Sequence, residues 1–142
     1  MSKSNTTEND LLLLIFNKTL PGYLGTLSAT GNTDLYVALH TADPGEAGSQ
    51  TTNEASYTGY GRVAVPRTAG GWTVSGNQAG NTALVQFTQC SGGSSAVTHF
   101  SVGTAISGAG QILYSGALSA TRNISDGIQP QFAAAALVCT ED

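Results

Sequence analysis

LYVALHTADPGEAGSQTTNEASYTGYGRVAV, residues 35–65, places two strand-like runs on either side of a long polar loop that has no period. Leu35 to Leu39 alternates, with Leu35, Val37 and Leu39 on one face, as a half-buried strand does. Arg62 to Val65 repeats the pattern. The loop between them, Thr41 to Gly61, opens on Asp43-Pro44-Gly45, a turn in which Pro fixes φ and Gly accepts a positive φ. It closes on Tyr57, Gly59, Tyr60 and Gly61. A loop this long inside a compact domain is uncommon and is generally functional or disordered. Two tyrosines argue for order, because their rings are costly to leave in water. The loop is therefore expected at a subunit or partner contact, with Tyr57 and Tyr60 as anchors. The alternative is that both rings pack on the edge of their own domain.

Outward from this unit, the chain reads as short strands separated by turn signals. Gly70-Gly71 marks a hairpin between Val63–Arg67 and Trp72–Ser75, and Pro66 demotes the first of these to an edge strand. Asn81 to Thr88 is a strand with Ala83, Val85 and Phe87 aligned. Ala96 to Val102 follows, with Thr98, Phe100 and Val102 on one face. Gln111 to Leu118 comes next, then a short strand around Thr121 to Ile124. Gln129 to Thr140 closes the chain as a strand buried on both faces, Pro130 arguing against the helix that its alanines would otherwise favour. At the other end, Thr7 to Asp10 fits a capping box, and Leu11 to Leu20 a short helix stopped by Pro21-Gly22. Residues 1–6 are expected to be disordered, and Gly22 to Thr33 to be a linker. The helix is apolar all round between Leu11 and Phe16, so Leu12, Ile15 and Phe16 join the candidate partner contacts; a helix that plugs its own sandwich is the competing reading. The predicted architecture is all-β, a jelly-roll-like sandwich of about eight strands behind a short N-terminal helix. Residues 1–20 form the arm and helix, and 21–142 a single domain.

Composition agrees with many tight turns: 18 glycines, and charges at only 10%, well under the usual quarter. Low charge reduces repulsion between copies and suits a protein that works assembled. The net charge is −4, and the five Lys and Arg are scattered singly. Nucleic-acid binding and a basic membrane-facing surface are therefore not expected. Neither apolar run, Leu11–Phe16 or Phe132–Cys139, reaches the length of a membrane span. The N-terminus lacks the pattern of a secretory leader, which points to synthesis in the cytoplasm. Cys90 and Cys139 are expected to be buried free thiols in such a product.

Little in the sequence points to chemistry. His40, Asp43 and Glu46 are the one cluster worth testing as a metal site, but a full ligand set needs more. No nucleophile elbow, paired carboxylates or phosphate cradle is present, so catalytic, cofactor and metal sites are all expected to be absent. Trp72, with Tyr57, Tyr60 and Tyr23, could stack on sugars, though a half-buried strand aromatic is the simpler reading of Trp72.

HTADPGEAG followed by TNEASYTGYGRVAV resembles a family of small tailed-bacteriophage virion proteins. GGWTVSG, NTALVQFT, AVTHFSVG and GQILYSGALS resemble that family's remaining strands, so the likeness runs from about Asp34 to the C-terminus. Members carry tail-fibre or head-associated labels. The resemblance implies a non-enzymatic structural protein of the virion, made in the bacterial host cytoplasm. The first expectation is a head decoration or cement protein that binds the major capsid protein lattice, or other virion proteins, as a homo-oligomer with a trimer favoured. Binding only the assembled shell would stabilise it by mass action. The alternative is a tail-fibre or tail-tip subunit that recognises a host surface.

Overall fold

The computed structural model describes residues 3–19 and 32–141. Among the described residues the chain is all-β behind one helix, α1 (Asn5–Asn17), as expected. Nine strands follow among the described residues: β1 (Asp34–His40), β2 (Val63–Pro66), β3 (Trp72–Ser75), β4 (Gln78–Asn81), β5 (Val85–Gln86), β6 (Ser95–Gly103), β7 (Ile112–Ile124), β8 (Gln131–Phe132) and β9 (Val138–Thr140). They form a four-stranded sheet of order β2-β1-β6-β7, a three-stranded sheet of order β3-β4-β9, and the pair β5-β8. The β1-β6, β6-β7, β3-β4 and β4-β9 ladders are antiparallel. The chain divides into two compact units, one from Met1–Asp34, Val65–Val85 and Phe132–Asp142, the other from Leu35–Ala64 and Gln86–Gln131.

In the first unit, α1 rests on β3 and β4. Its N-cap is Ser4, whose hydroxyl accepts from the Thr7 N–H, rather than Thr7 itself. Serine is the better cap, and Glu8 lies in the first turn, where the helix dipole favours an acid. Asn5 and Thr6 are thus helical, not disordered. The helix stops at Asn17 because Lys18 turns left-handed (φ 54°), three residues before the expected Leu20. The Arg67 guanidinium seals that end, donating to the carbonyls of Ile15 (2.6 Å) and Leu14 (2.9 Å). Leu12 and Phe16 are fully buried, and the Phe16 ring meets Trp72 edge-on at 4.7 Å. Trp72 is therefore a wholly buried core residue, not a half-buried one. The Gly22–Thr33 linker and Tyr23 lie almost wholly or wholly outside the described residues.

Two strand predictions fail here for one reason, tertiary partners far away in sequence. The Gly70-Gly71 turn joins strands of different sheets and is not a hairpin: β3 pairs with β4, while β2 is the edge of the four-stranded sheet, the place Pro66 requires. Nor does Gln129–Thr140 form one strand. It breaks into β8 and β9 around an exposed Ala133–Ala136 turn in which Ala135 is left-handed (φ 60°). Buried Asn81 holds that turn: its amide N donates to the Ala133 and Ala83 carbonyls at 2.8 Å, and its Oδ1 accepts from the Leu137 N–H at 2.9 Å. The same residue ends β4, so Asn81–Thr88 is divided between β4 and β5, with Ala83 exposed.

In the second unit, β1 carries the predicted face of Leu35, Val37 and Leu39, and Ala38 and His40 are buried as well. In β6 the inward residues are Ser95, Val97, Ser101 and Val102; Thr98 and Phe100 are only half-buried. A register shift between Val97 and His99 re-phases the strand, which a strict period of two does not foresee. β7 runs unbroken from Ile112 to Ile124, absorbing the separate Thr121–Ile124 strand.

Candidate functional site

The Thr41–Gly61 loop contains no helix or strand, yet its backbone is tied down along its length. Asp43-Pro44-Gly45 forms the expected turn: Gly45, at φ 70°, donates its N–H to Asp43 Oδ1 at 2.9 Å. Asn53, left-handed at φ 53°, donates its amide to the Asp43 carbonyl and folds the first half of the loop on itself. Thr41 N–H to Asn53 O (2.7 Å) and Ala55 N–H to Leu39 O (2.8 Å) then lay residues 53–55 against the end of β1. Further on, the Ser56 N–H donates to Ser95 Oγ, and Thr58 exchanges backbone bonds with Ser91 and Gly92.

Three buried polar side chains fix this loop. Gln50, fully enclosed, donates to the Tyr36 carbonyl (3.0 Å) and accepts from the Ala105 N–H (3.0 Å). Gly103 and Gly110 make room for it; a Cβ at either would collide with the Gln50 side chain. Arg62 grips Glu54 and also donates to the carbonyls of Ala105 (2.9 Å) and Gly108 (2.8 Å), clipping residues 104–110 to the loop. His40, also fully buried, bonds the Thr52 carbonyl through Nδ1 and Ser101 Oγ through Nε2, each at 2.8 Å. A carbonyl only accepts, so Nδ1 carries the proton and Nε2 takes the Ser101 O–H. Burial holds the His40 pKa below the ordinary 6.5.

The two tyrosines are part of this scaffold. Tyr57 is 3% exposed and its hydroxyl donates to the Thr88 carbonyl at 3.1 Å. Burial raises its pKa to about 12. The Tyr60 hydroxyl accepts from the Leu39 N–H (3.1 Å) and donates to Glu54 Oε1 (2.9 Å), and burial raises its pKa further. The rings meet edge-on at 5.4 Å, and Tyr60 stacks on Phe87. The structure thus brings Tyr57 and Tyr60 together. In the other unit, Leu12 and Phe16 are fully buried beneath α1, while Ile15 is half-exposed on it.

Ser101, His40 and the Thr52 carbonyl have the bonding order of a nucleophile, a base and its orienting group, but Ser101 and His40 are both 0% exposed. The His40 ring bonds Thr52 and Ser101, whereas Asp43 and Glu46 line an open groove of about 380 Å³ with Gly45, Ile112, Leu113 and Ser115. Among the described residues no group of three or more His, Cys, Asp or Glu is placed to hold a metal, and no helix is long and apolar enough to cross a membrane. Cys90 and Cys139 are free and buried, as expected.

Sequence reasoning passed over Glu54, Arg62 and Gln50. A signal was available for the first two: in a chain with so few charges, opposite charges eight residues apart at the mouth of a long loop are candidates for a clasp.

No curated protein matches the chain. A family model described as podophage GP4 fiber I protein gp80 matches residues 2–140. That match spans all the described elements, so the chain belongs to this family of podophage fibre proteins, which are components of the virion.

Proposed function

We propose that the chain is a non-enzymatic fibre subunit of a phage particle, placed at the tail, where it meets other virion proteins or a host surface. The fibre family match over residues 2–140 carries this reading and favours it over capsid decoration, which the family description does not support. The buried anchoring of the long loop fits it. A binding loop fixed before contact loses less conformational freedom on binding. The proposed contact surfaces are the outer side of that loop, posted from beneath by Tyr57 and Tyr60, and the half-exposed side of α1 at Ile15, shaped from beneath by Leu12 and Phe16. Assembly as a homo-oligomer, a trimer by preference, and synthesis in the bacterial host cytoplasm complete the proposal.

Gold-labelled antibody against this chain, imaged on purified virions, tests the placement. Label at the tail is the expected result. Label spread over the head would restore the decoration reading.

A further inference from the structure

We propose that His40 is an acid-operated clasp: neutral, it holds the Thr41–Gly61 loop against the β1-β6 ladder, and protonated, it lets the loop go. The argument starts from proton bookkeeping at the ring. Thr52 O can only accept, so the proton of the neutral ring sits on Nδ1, and Nε2 must accept the Ser101 O–H. A second proton can enter only at Nε2. Ser101 Oγ must then accept instead of donate, and its own proton is turned away from the ring in a site where Ser101 is 0% exposed. A buried donor without an acceptor, beside a buried positive charge, is a costly state.

The groups facing the ring relieve that cost only in part. On the loop side stand the Thr52 carbonyl and Glu54, which favour the cation, and Arg62, which opposes it. Glu54 is already engaged by Arg62 and by Tyr60, so most of its charge is spent. On the sheet side His99 lies directly opposite His40 across the β1-β6 register, and it also opposes the cation. The lowered pKa agrees with this balance. The relief available is to open the site. The nearest removable wall is Thr52, held from the loop side beside two backbone bonds, Thr41 to Asn53 and Ala55 to Leu39, whereas Ser101 is fixed inside a ladder. Acid should therefore free the loop before the sheet.

Because folding depresses the pKa of His40, stability at this site is complete at neutral pH, begins to fall as pH drops through 6.5, and is lost through the lower native value. The test is hydrogen exchange on the intact chain from pH 7.5 to 4.5, corrected for intrinsic rates, read together with the imidazole NMR signals. The Thr41 and Ala55 amides should lose at least tenfold in protection as the His40 ring titrates, while the β6 amide of Val102 keeps its protection. His99→Gln should leave that dependence in place. His40→Gln, which cannot titrate, should abolish it. Should His40→Gln fail to fold, the wild-type and His99→Gln titrations still decide. Loop and sheet amides falling together, a loop that opens without any His40 titration, or a dependence removed by His99→Gln would each overturn the proposal.

Discussion

Arg62 grips Glu54 through two parallel hydrogen bonds, Nε to Oε1 at 2.7 Å and Nη2 to Oε2 at 2.8 Å, with the arginine side chain only 2% exposed and the glutamate 18%. Breaking one side leaves the other charge stranded. Arg62→Ala should cost about 2–4 kcal/mol, somewhat below the ~3–5 kcal/mol of a fully buried pair because Glu54 keeps some contact with water. Arg62→Lys should recover little, since an ammonium cannot serve both carboxylate oxygens and the Ala105 and Gly108 carbonyls. Urea midpoints measure both. A lysine variant that matches the wild type would show that charge alone matters here.

The first unit offers a contrast on one helix. Phe16→Ala should cost about 3–5 kcal/mol, because the fully buried ring fills space against Trp72. Ile15→Ala, one residue earlier and half-exposed, should cost about 1 kcal/mol or less. If the outer side of α1 meets a partner, Ile15→Ala should also reduce incorporation into particles while the melting temperature stays nearly constant. Unchanged incorporation would remove Ile15 from the proposed contact.

Much of the second unit was readable from local pattern. Leu35, Val37 and Leu39 fall inward as their alternation predicts and Asp43-Pro44-Gly45 makes its turn; outside this unit, Pro66 keeps β2 at a sheet edge. These signals act over two to four residues. The errors lie where a distant residue decides. AAAALV reads as a continuous apolar run, but Asn81, more than fifty positions earlier, pins it in a turn by taking the Ala133 carbonyl and the Leu137 N–H. The Glu54, Arg62 and Gln50 network was hidden in the same way, since polar residues in a polar loop give no periodic sign that Gln50 and Arg62 are buried.

Asn81 can be tested on that account. Asn81→Leu is close in volume but leaves the Leu137 N–H and the Ala133 and Ala83 carbonyls without their side-chain partner. The buried Leu137 N–H so orphaned costs about 1–3 kcal/mol, while the carbonyls of exposed Ala133 and Ala83 can turn to water. The variant should lose about that much in urea, and limited proteolysis should cut within Ala133–Ala136. A stable variant resistant at that turn would mean that the turn holds itself.

Cys139 is buried, and desolvation pushes its thiol up to about 12. The native thiol is therefore protonated and unreactive at pH 8, and alkylation should reach it only after denaturation. The sign of the linkage follows. An unfolded thiol ionises near its usual 9.0 while the native one does not, so this contribution to stability is present below pH 9 and is lost as pH rises from there towards 12. Cys139→Ala should flatten that alkaline loss. An equally steep decline in the variant would assign it to other groups.

The tyrosines separate a scaffold role from a contact role. Tyr60→Phe keeps the stack on Phe87 and the edge contact with Tyr57, and removes only a hydroxyl. That hydroxyl is the acceptor for the Leu39 N–H and a donor to Glu54, so the variant should lose about 1–3 kcal/mol, or roughly 2–12 °C in Tm for a chain of this size. Tyr57→Phe removes one donor to the Thr88 carbonyl and should cost about 1 kcal/mol. Tyr57→Ala, which empties a buried ring site, should cost about 3–5 kcal/mol. Glu46→Lys, on the exposed side of the same loop at the groove, should leave Tm within about 2 °C, since surface substitutions lie within ~0.5 kcal/mol. If the outer side of the loop is the contact, Glu46→Lys weakens attachment to the particle or the host surface, whereas the tyrosine variants act only through the fraction folded. Normal attachment by Glu46→Lys, together with lost attachment by a Tyr57→Phe chain that is still fully folded, would reverse that assignment and make the tyrosine itself the anchor.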